Sequence, residues 1–162
     1  MENSSILLRL YNDFTSQRLD NSKQDDKVIM QKIVFLLNEL GLVVGDYKFA
    51  WDKYGPFSQS LHNDIASISE KDIPYDGVFS PYAQSIIDFT KTIFEKSSET
   101  EYNNRNWMET VASIVFLKRY EYPSLKMNEI LLKLVELKEY LNNTEDNIKA
   151  AECSENILNY VS

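Results

Sequence analysis

The residue types most used for catalysis are scarce in this chain, and their spacing suits none of the usual arrangements. There is one histidine, His62, and one cysteine, Cys153. A Ser-His-Asp or Cys-His nucleophile would have to be built on His62, which lies in the helical stretch LHNDI without any of the local signatures that mark such a residue. A zinc shell from one His and one distant Cys would need two carboxylates to complete it, and in an acidic chain carboxylates are everywhere, so the pattern carries no information. Glu152 and Glu155 flank Cys153 and disfavour a thiolate there. Gly41-x-x-x-Gly45 has the outline of a phosphate loop, but it lacks the Gly-Lys-Ser/Thr ending and follows a helical run, so it reads as a helix stop and a turn. Pairs of working carboxylates are defined by separation in space, and no spacing of Asp and Glu argues for one. The sequence therefore predicts no catalytic residue, no metal ligand and no cofactor. His62 is expected to be a partly exposed neighbour of Leu61, and Cys153 a small buried or half-buried residue.

One segment is unusual, WDKYGPFSQSL, Trp51 to Leu61. Together with Tyr47 and Phe49 it gathers five aromatics around a Gly-Pro turn, with Lys48 and Lys53 among them. Trp and Tyr are enriched at binding hot spots, so this is the candidate partner-binding site, carried by Trp51, Lys53, Tyr54, Gly55, Pro56, Phe57, Ser58 and Leu61. The same aromatics could equally staple an extended segment onto the preceding helix, and both roles can hold at once.

Such a segment needs a framework. The 162 residues are enough for one domain with its own core, spanning 1–162, and 43% apolar content with 18 Phe and Tyr excludes a disordered chain. One cysteine excludes an internal disulfide and points to a reducing cytoplasm; the N-terminus does not read as a secretory signal, and no apolar run is long enough to span a membrane. Seventeen Lys and Arg against 25 Asp and Glu leave a net charge of −8, which disfavours broad attraction to nucleic acid.

Helical periodicity recurs along the chain. Ile6, Leu7, Leu10, Tyr11 and Phe14 predict a first helix. A second is expected to start at an Asp25 or Asp26 cap, bury Ile29, Ile33, Leu36, Leu37 and Leu40, and stop at Gly41. Val43 to Trp51 reads as extended or one short strand, Tyr54-Gly55-Pro56 as a turn, and Phe57, Leu61, Ile65 and Ile68 as the face of a short helix opening at that turn. Residues 72–79 could form a second extended piece. Ser80 and Pro81 supply a cap and an N1 proline for a helix to about Lys96 with Tyr82, Ile86, Phe89 and Ile93 on its core face. A helix led by Trp107 ends before Pro123, another is expected to be capped by Ser124, and Thr144 opens the last. Trp107 and the leucine-rich helix from Ser124 to Leu141 read as core-facing, with a symmetry mate as the other option. The expected fold is mainly α, a compact single domain of six or seven helices with one or two short extended segments.

QKIVFLLNELG followed by YKFAWDKYGPFSQSLHNDI resembles the pattern shared by the Panacea (SocA-like antitoxin) superfamily and the related YwgA-like bacterial proteins. There a helix of the type LQKLVYLL precedes an aromatic strand and then a YGPYSxxL turn that opens a helix. NWMETVASIVFLKRYEYPSLKMNEILLKLVELK is similar to the C-terminal helices of YwgA-like members. The stretch Phe49 to Tyr54 departs from the tryptophan-containing pattern of the antitoxin branch, which places the YwgA-like branch first. The resemblance implies a compact helical domain with winged-helix affinities and a non-enzymatic, antitoxin-like or regulatory role, with a toxin or effector encoded nearby as the protein partner.

Two other functions follow from different features. A winged-helix nucleic-acid binder would place the helix from Phe57 to Ser69 in a groove, but that stretch has no Lys or Arg. An acidic DNA mimic, or a bare structural subunit of a defence complex, rests on the charge of −8 alone.

Overall fold

The structure, a computed structural model, describes residues 2–160. It is mainly helical, with seven α-helices and one two-stranded antiparallel sheet among the described residues. The helices are α1 (Glu2–Thr15), α2 (Gln24–Glu39), α3 (Gln59–Ala66), α4 (Pro81–Glu95), α5 (Asn104–Phe116), α6 (Met127–Leu137) and α7 (Thr144–Leu158). The strands β1 (Ala50–Asp52) and β2 (Gly55–Phe57) form a hairpin between α2 and α3.

Two helices make the centre. α5 is buried on every side from Trp107 to Phe116, and α2 is buried from Val28 to Leu37. The two pack on each other, α7 covers α5, and α1, α3, α4 and the hairpin close round the remainder, so one apolar core runs from Leu7 to Ile157. A helix enclosed on all faces cannot expose its polar residues; Gln31 and Lys32 in α2, and Glu109, Thr110 and Ser113 in α5, are therefore inside the protein.

Helix boundaries follow local chemistry. Gly41 adopts φ +99° and Leu42 N–H donates to the Leu37 carbonyl (2.9 Å), a left-handed glycine stop for α2. Ser80 Oγ accepts from Ala83 N–H (3.1 Å) ahead of Pro81, as its sequence predicts. Trp107 is fully buried, its indole N–H donating to the Ile93 carbonyl (2.9 Å), which settles its core-facing orientation.

Several expectations are corrected. Asp25 and Asp26 do not cap α2 but sit in its first turn after Lys23, where their charge favours the positive end of the helix, and Asp26 accepts from Asp20 N–H (2.9 Å). Of the 43–51 stretch only Ala50 and Trp51 are strand, in β1, which runs on to Asp52. Residues 72–79 form no strand, because α1 claims their backbone: Arg9 donates to the carbonyls of Tyr75 (3.0 Å) and Gly77 (2.8 Å), and Tyr75 N–H donates to the Ser5 carbonyl (2.9 Å). The buried face of α4 is rotated toward Ala83, Ile86, Ile87, Thr90, Ile93 and Phe94, leaving Tyr82 exposed with its hydroxyl on the Gly41 carbonyl (3.0 Å). Ser124 caps nothing; α6 starts after Lys126, whose N–H donates to the Glu129 carboxylate (3.0 Å).

Candidate functional site

Trp51 to Leu61 is a hairpin followed by a helix. Ala50 pairs with Phe57, Trp51 with Pro56 and Asp52 with Gly55, which leaves Lys53 and Tyr54 at the tip. Among the described residues Ser16 is the only non-glycine with positive φ, so the tip residues keep ordinary backbone and the reversal falls on Gly55, at φ +88°. A turn closed by a left-handed glycine is a standard hairpin solution, and here it has a second requirement. A Cβ on Gly55 would stand 2.5 Å from Ser113 Oγ, so the hairpin lies against α5 at glycine distance.

Buried polar side chains hold the hairpin by its backbone. Lys32 Nζ donates to the Pro56 carbonyl (2.8 Å). Gln31 takes both backbone groups of Ser58, donating to its carbonyl (2.9 Å) and accepting from its N–H (3.0 Å). Lys138, just past α6, donates to the carbonyls of Asp52 (2.7 Å) and Lys53. Ser58 Oγ in turn caps α3 through Leu61 N–H (3.2 Å). A backbone segment that cannot complete a ladder on both sides thus has its carbonyls satisfied by an amine and an amide from α2 and an amine from just past α6.

The charge under the hairpin is only partly neutralised. Burial pushes Lys32 down to about 7, with Glu109 opposing that shift, and lowers Lys138 for the same first reason. Burial raises Glu109, against hydrogen bonding from Tyr140 and the nearby lysines. Tyr140 hydroxyl donates to Glu109 Oε2, which raises the phenol further above its ordinary value beyond the effect of its own burial. Glu109 Oε1 and Ser113 Oγ, one turn apart on α5, have no hydrogen-bond partner.

The aromatics divide by role. Phe49 packs edge-on against Phe35 of α2 (centroids 5.3 Å apart), and Trp51 lies on Phe116 of α5 (5.8 Å) with the Lys138 ammonium 4.8 Å from its ring centre. Phe49 ties the hairpin's entry to the preceding helix α2, as one of the two sequence readings has it, whereas Trp51 ties the hairpin to α5 instead. Gly55, Pro56, Ser58 and Leu61 are buried beneath it and present no surface to a partner. The remaining members, Lys53, Tyr54 and Phe57, come together at a cavity of about 290 Å³ between the hairpin and the first turns of α2. Lys27 and Val28 of α2 and His62 and Ile65 of α3 complete its rim and wall. His62 is half-buried, its ring tilted against Phe57 (centroids 5.7 Å apart), and its imidazole makes no side-chain hydrogen bond among the described residues.

Lys27, Lys32, Lys138, Glu109 and Tyr140 were absent from the candidate residues read from sequence. A usable signal exists for two of them: Gln31-Lys32 interrupts the otherwise apolar run VIMQKIVFLL, and Glu109 interrupts WMETVASIVF. Elsewhere, Cys153 is buried and its thiol is pushed up by that burial, which removes the activation a nucleophile needs. No helix among the described residues is long and apolar enough to cross a membrane.

Comparison with models of known families, with characterised proteins and with solved structures returns no match to this chain.

Proposed function

We propose that this chain is a non-enzymatic protein-interaction module, working as an antitoxin-like or regulatory subunit of a bacterial toxin-antitoxin or phage-defence system in a reducing cytoplasm. The observation that carries the interaction reading is the fixed hairpin. Two lysines and a glutamine are withdrawn from water to grip its backbone, and Lys53, Tyr54 and Phe57 of the held hairpin stand round one cavity. Buried charge is a poor source of stability, and a device of this kind makes better sense as a way of holding one geometry. A preorganised surface loses less entropy on binding than a mobile one. The antitoxin assignment rests on the resemblance of Gln31–Ile65 to that superfamily, and the partner is a toxin or effector encoded nearby.

The nucleic-acid alternative lacks a corresponding observation. α3, the helix that would enter a groove, reads QSLHNDIA and carries no cation.

The test is co-expression of the tagged chain with the products of its neighbouring genes. Wild type is expected to capture one of them, and Tyr54→Ala combined with Phe57→Ala to lose it while remaining folded by circular dichroism. Failure to capture any neighbour, or capture indifferent to both substitutions, overturns the reading.

A further inference from the structure

Around the cavity the charge balance runs opposite to that of the chain. The whole sequence carries −8, yet the cavity is lined by Lys27, Lys32 and Lys53 against a single carboxylate, Asp52. Lys32 is committed to the Pro56 carbonyl. Lys27 and Lys53 are not committed: the ion pairs among the described residues use Arg9, Arg105, Arg119 and Lys133. Lys53 lies 5.3 Å from the Tyr54 ring centre and stands exposed at the hairpin tip. The same cavity is lined by the apolar side chains Val28, Phe57 and Ile65 and by Tyr54, beside the polar Gln24, Gln31 and His62.

We propose that this cavity receives an acidic segment of a partner protein, which inserts one aromatic or large aliphatic side chain against Val28, Tyr54 and Phe57 and sets Asp or Glu carboxylates on Lys27 and Lys53. The proposal rests on the protein-interaction reading above and adds the chemistry of the partner. Size supports it: about 290 Å³ is at the lower end of small-molecule sites and suits a single anchoring side chain better than a cofactor. Chemistry supports it as well, since the aromatics Tyr54 and Phe57 line the cavity beside two lysines that are in no ion pair and can steer and orient an acidic chain. An extended nucleic acid fits worse. Its affinity comes from many phosphate contacts, and beyond these two lysines the strand would meet a surface of net negative charge.

The experiment is peptide display against the folded full-length chain, followed by fluorescence anisotropy with the selected peptides. Selection is expected to return sequences with one Phe, Tyr, Trp or Leu flanked by Asp or Glu. Lys27→Glu with Lys53→Glu is expected to weaken the labelled peptide about tenfold or more and to leave thermal unfolding unchanged, because neither ammonium is in an ion pair. Replacing the anchoring residue of the peptide with Ala is expected to weaken it at least as much. Peptides with no acidic bias, no selected peptide at all, or affinity indifferent to both charge reversals would overturn the proposal. Binding of a labelled single-stranded DNA that depends on the same two lysines would overturn it in favour of a nucleic-acid ligand. If a neighbouring gene product is captured and the charge reversals leave that capture intact, this inference fails while the interaction reading stands. If acidic peptides are selected but no neighbour is captured, the cavity chemistry stands and the assignment of the partner to a neighbouring gene fails.

Discussion

Replacing Gly55 with alanine tests whether the hairpin is seated as described. Two independent costs meet at that position. An L-residue at φ +88° pays roughly 1–2 kcal/mol for the left-handed backbone. Its Cβ would also lie 2.5 Å from Ser113 Oγ, and forcing extra volume into a packed contact costs about 1–3 kcal/mol more. The sum is about 2–5 kcal/mol, which for a chain of this size lowers Tm by about 4–20 °C. Ser113→Ala separates the two costs. Its hydroxyl is buried without a partner, so removing it is expected to be neutral or to stabilise by about 1 kcal/mol. With that oxygen gone, Gly55→Ala should retain only the backbone cost of about 1–2 kcal/mol. Urea unfolding of the four proteins, followed by circular dichroism and tryptophan fluorescence, closes the cycle. Additive effects, with a coupling below about 0.5 kcal/mol, would refute the close approach of the hairpin to α5.

Two further outcomes are expected. Lys32→Met destabilises the protein more at pH 9 than at pH 6: a lysine lowered to about 7 gives its full stability above its unfolded value and loses it as pH falls through 7. A difference between wild type and variant that is flat over this range, measured by urea unfolding at each pH, would contradict the buried placement of the amine. Leu61→Ala, at a fully buried position, is expected to cost about 2–5 kcal/mol, and Tyr54→Ala less than about 1 kcal/mol. Equal losses in the same unfolding assay would mean that the tip is structural and not a presented surface.

Most of the helical framework was legible because its signals are local. Gly41 stops α2, Ser80 and Pro81 start α4, and the leucine spacing marks α6. Two helix starts, at Lys23 and Lys126, lack the side-chain caps their neighbouring Asp and Ser residues suggest, and elsewhere a distant element decides the outcome. Tyr82 has the right spacing for the core face of α4, but that helix is rolled and the tyrosine reaches the Gly41 carbonyl instead. Residues 72–79 have strand-like composition, and Arg9 of α1 holds them as a loop. At the site, the turn and its aromatics could be read, whereas the grip on them could not. Lys32, Glu109 and Lys138 belong to three separate parts of the chain, and periodicity gives no reason to bring a lysine inward to meet a carbonyl that another segment will deliver. Lys27 and Val28 join Tyr54 and Phe57 only after the hairpin folds back over α2.

The way the hairpin is held has a consequence for variation. Lys32, Gln31 and Lys138 all engage main-chain atoms, at Pro56, Ser58, Asp52 and Lys53. A clamp that recognises peptide groups is indifferent to what the residues it holds display. Asp52 is tied in, because its carboxylate favours the charged form of both Lys32 and Lys138, but positions 53 and 54 can be rewritten in charge, size or aromaticity without loosening the scaffold, provided Gly55 and Pro56 keep the turn. The tip works as an interchangeable head on a fixed mount, and a lineage that must track a changing partner can do so by editing two side chains there.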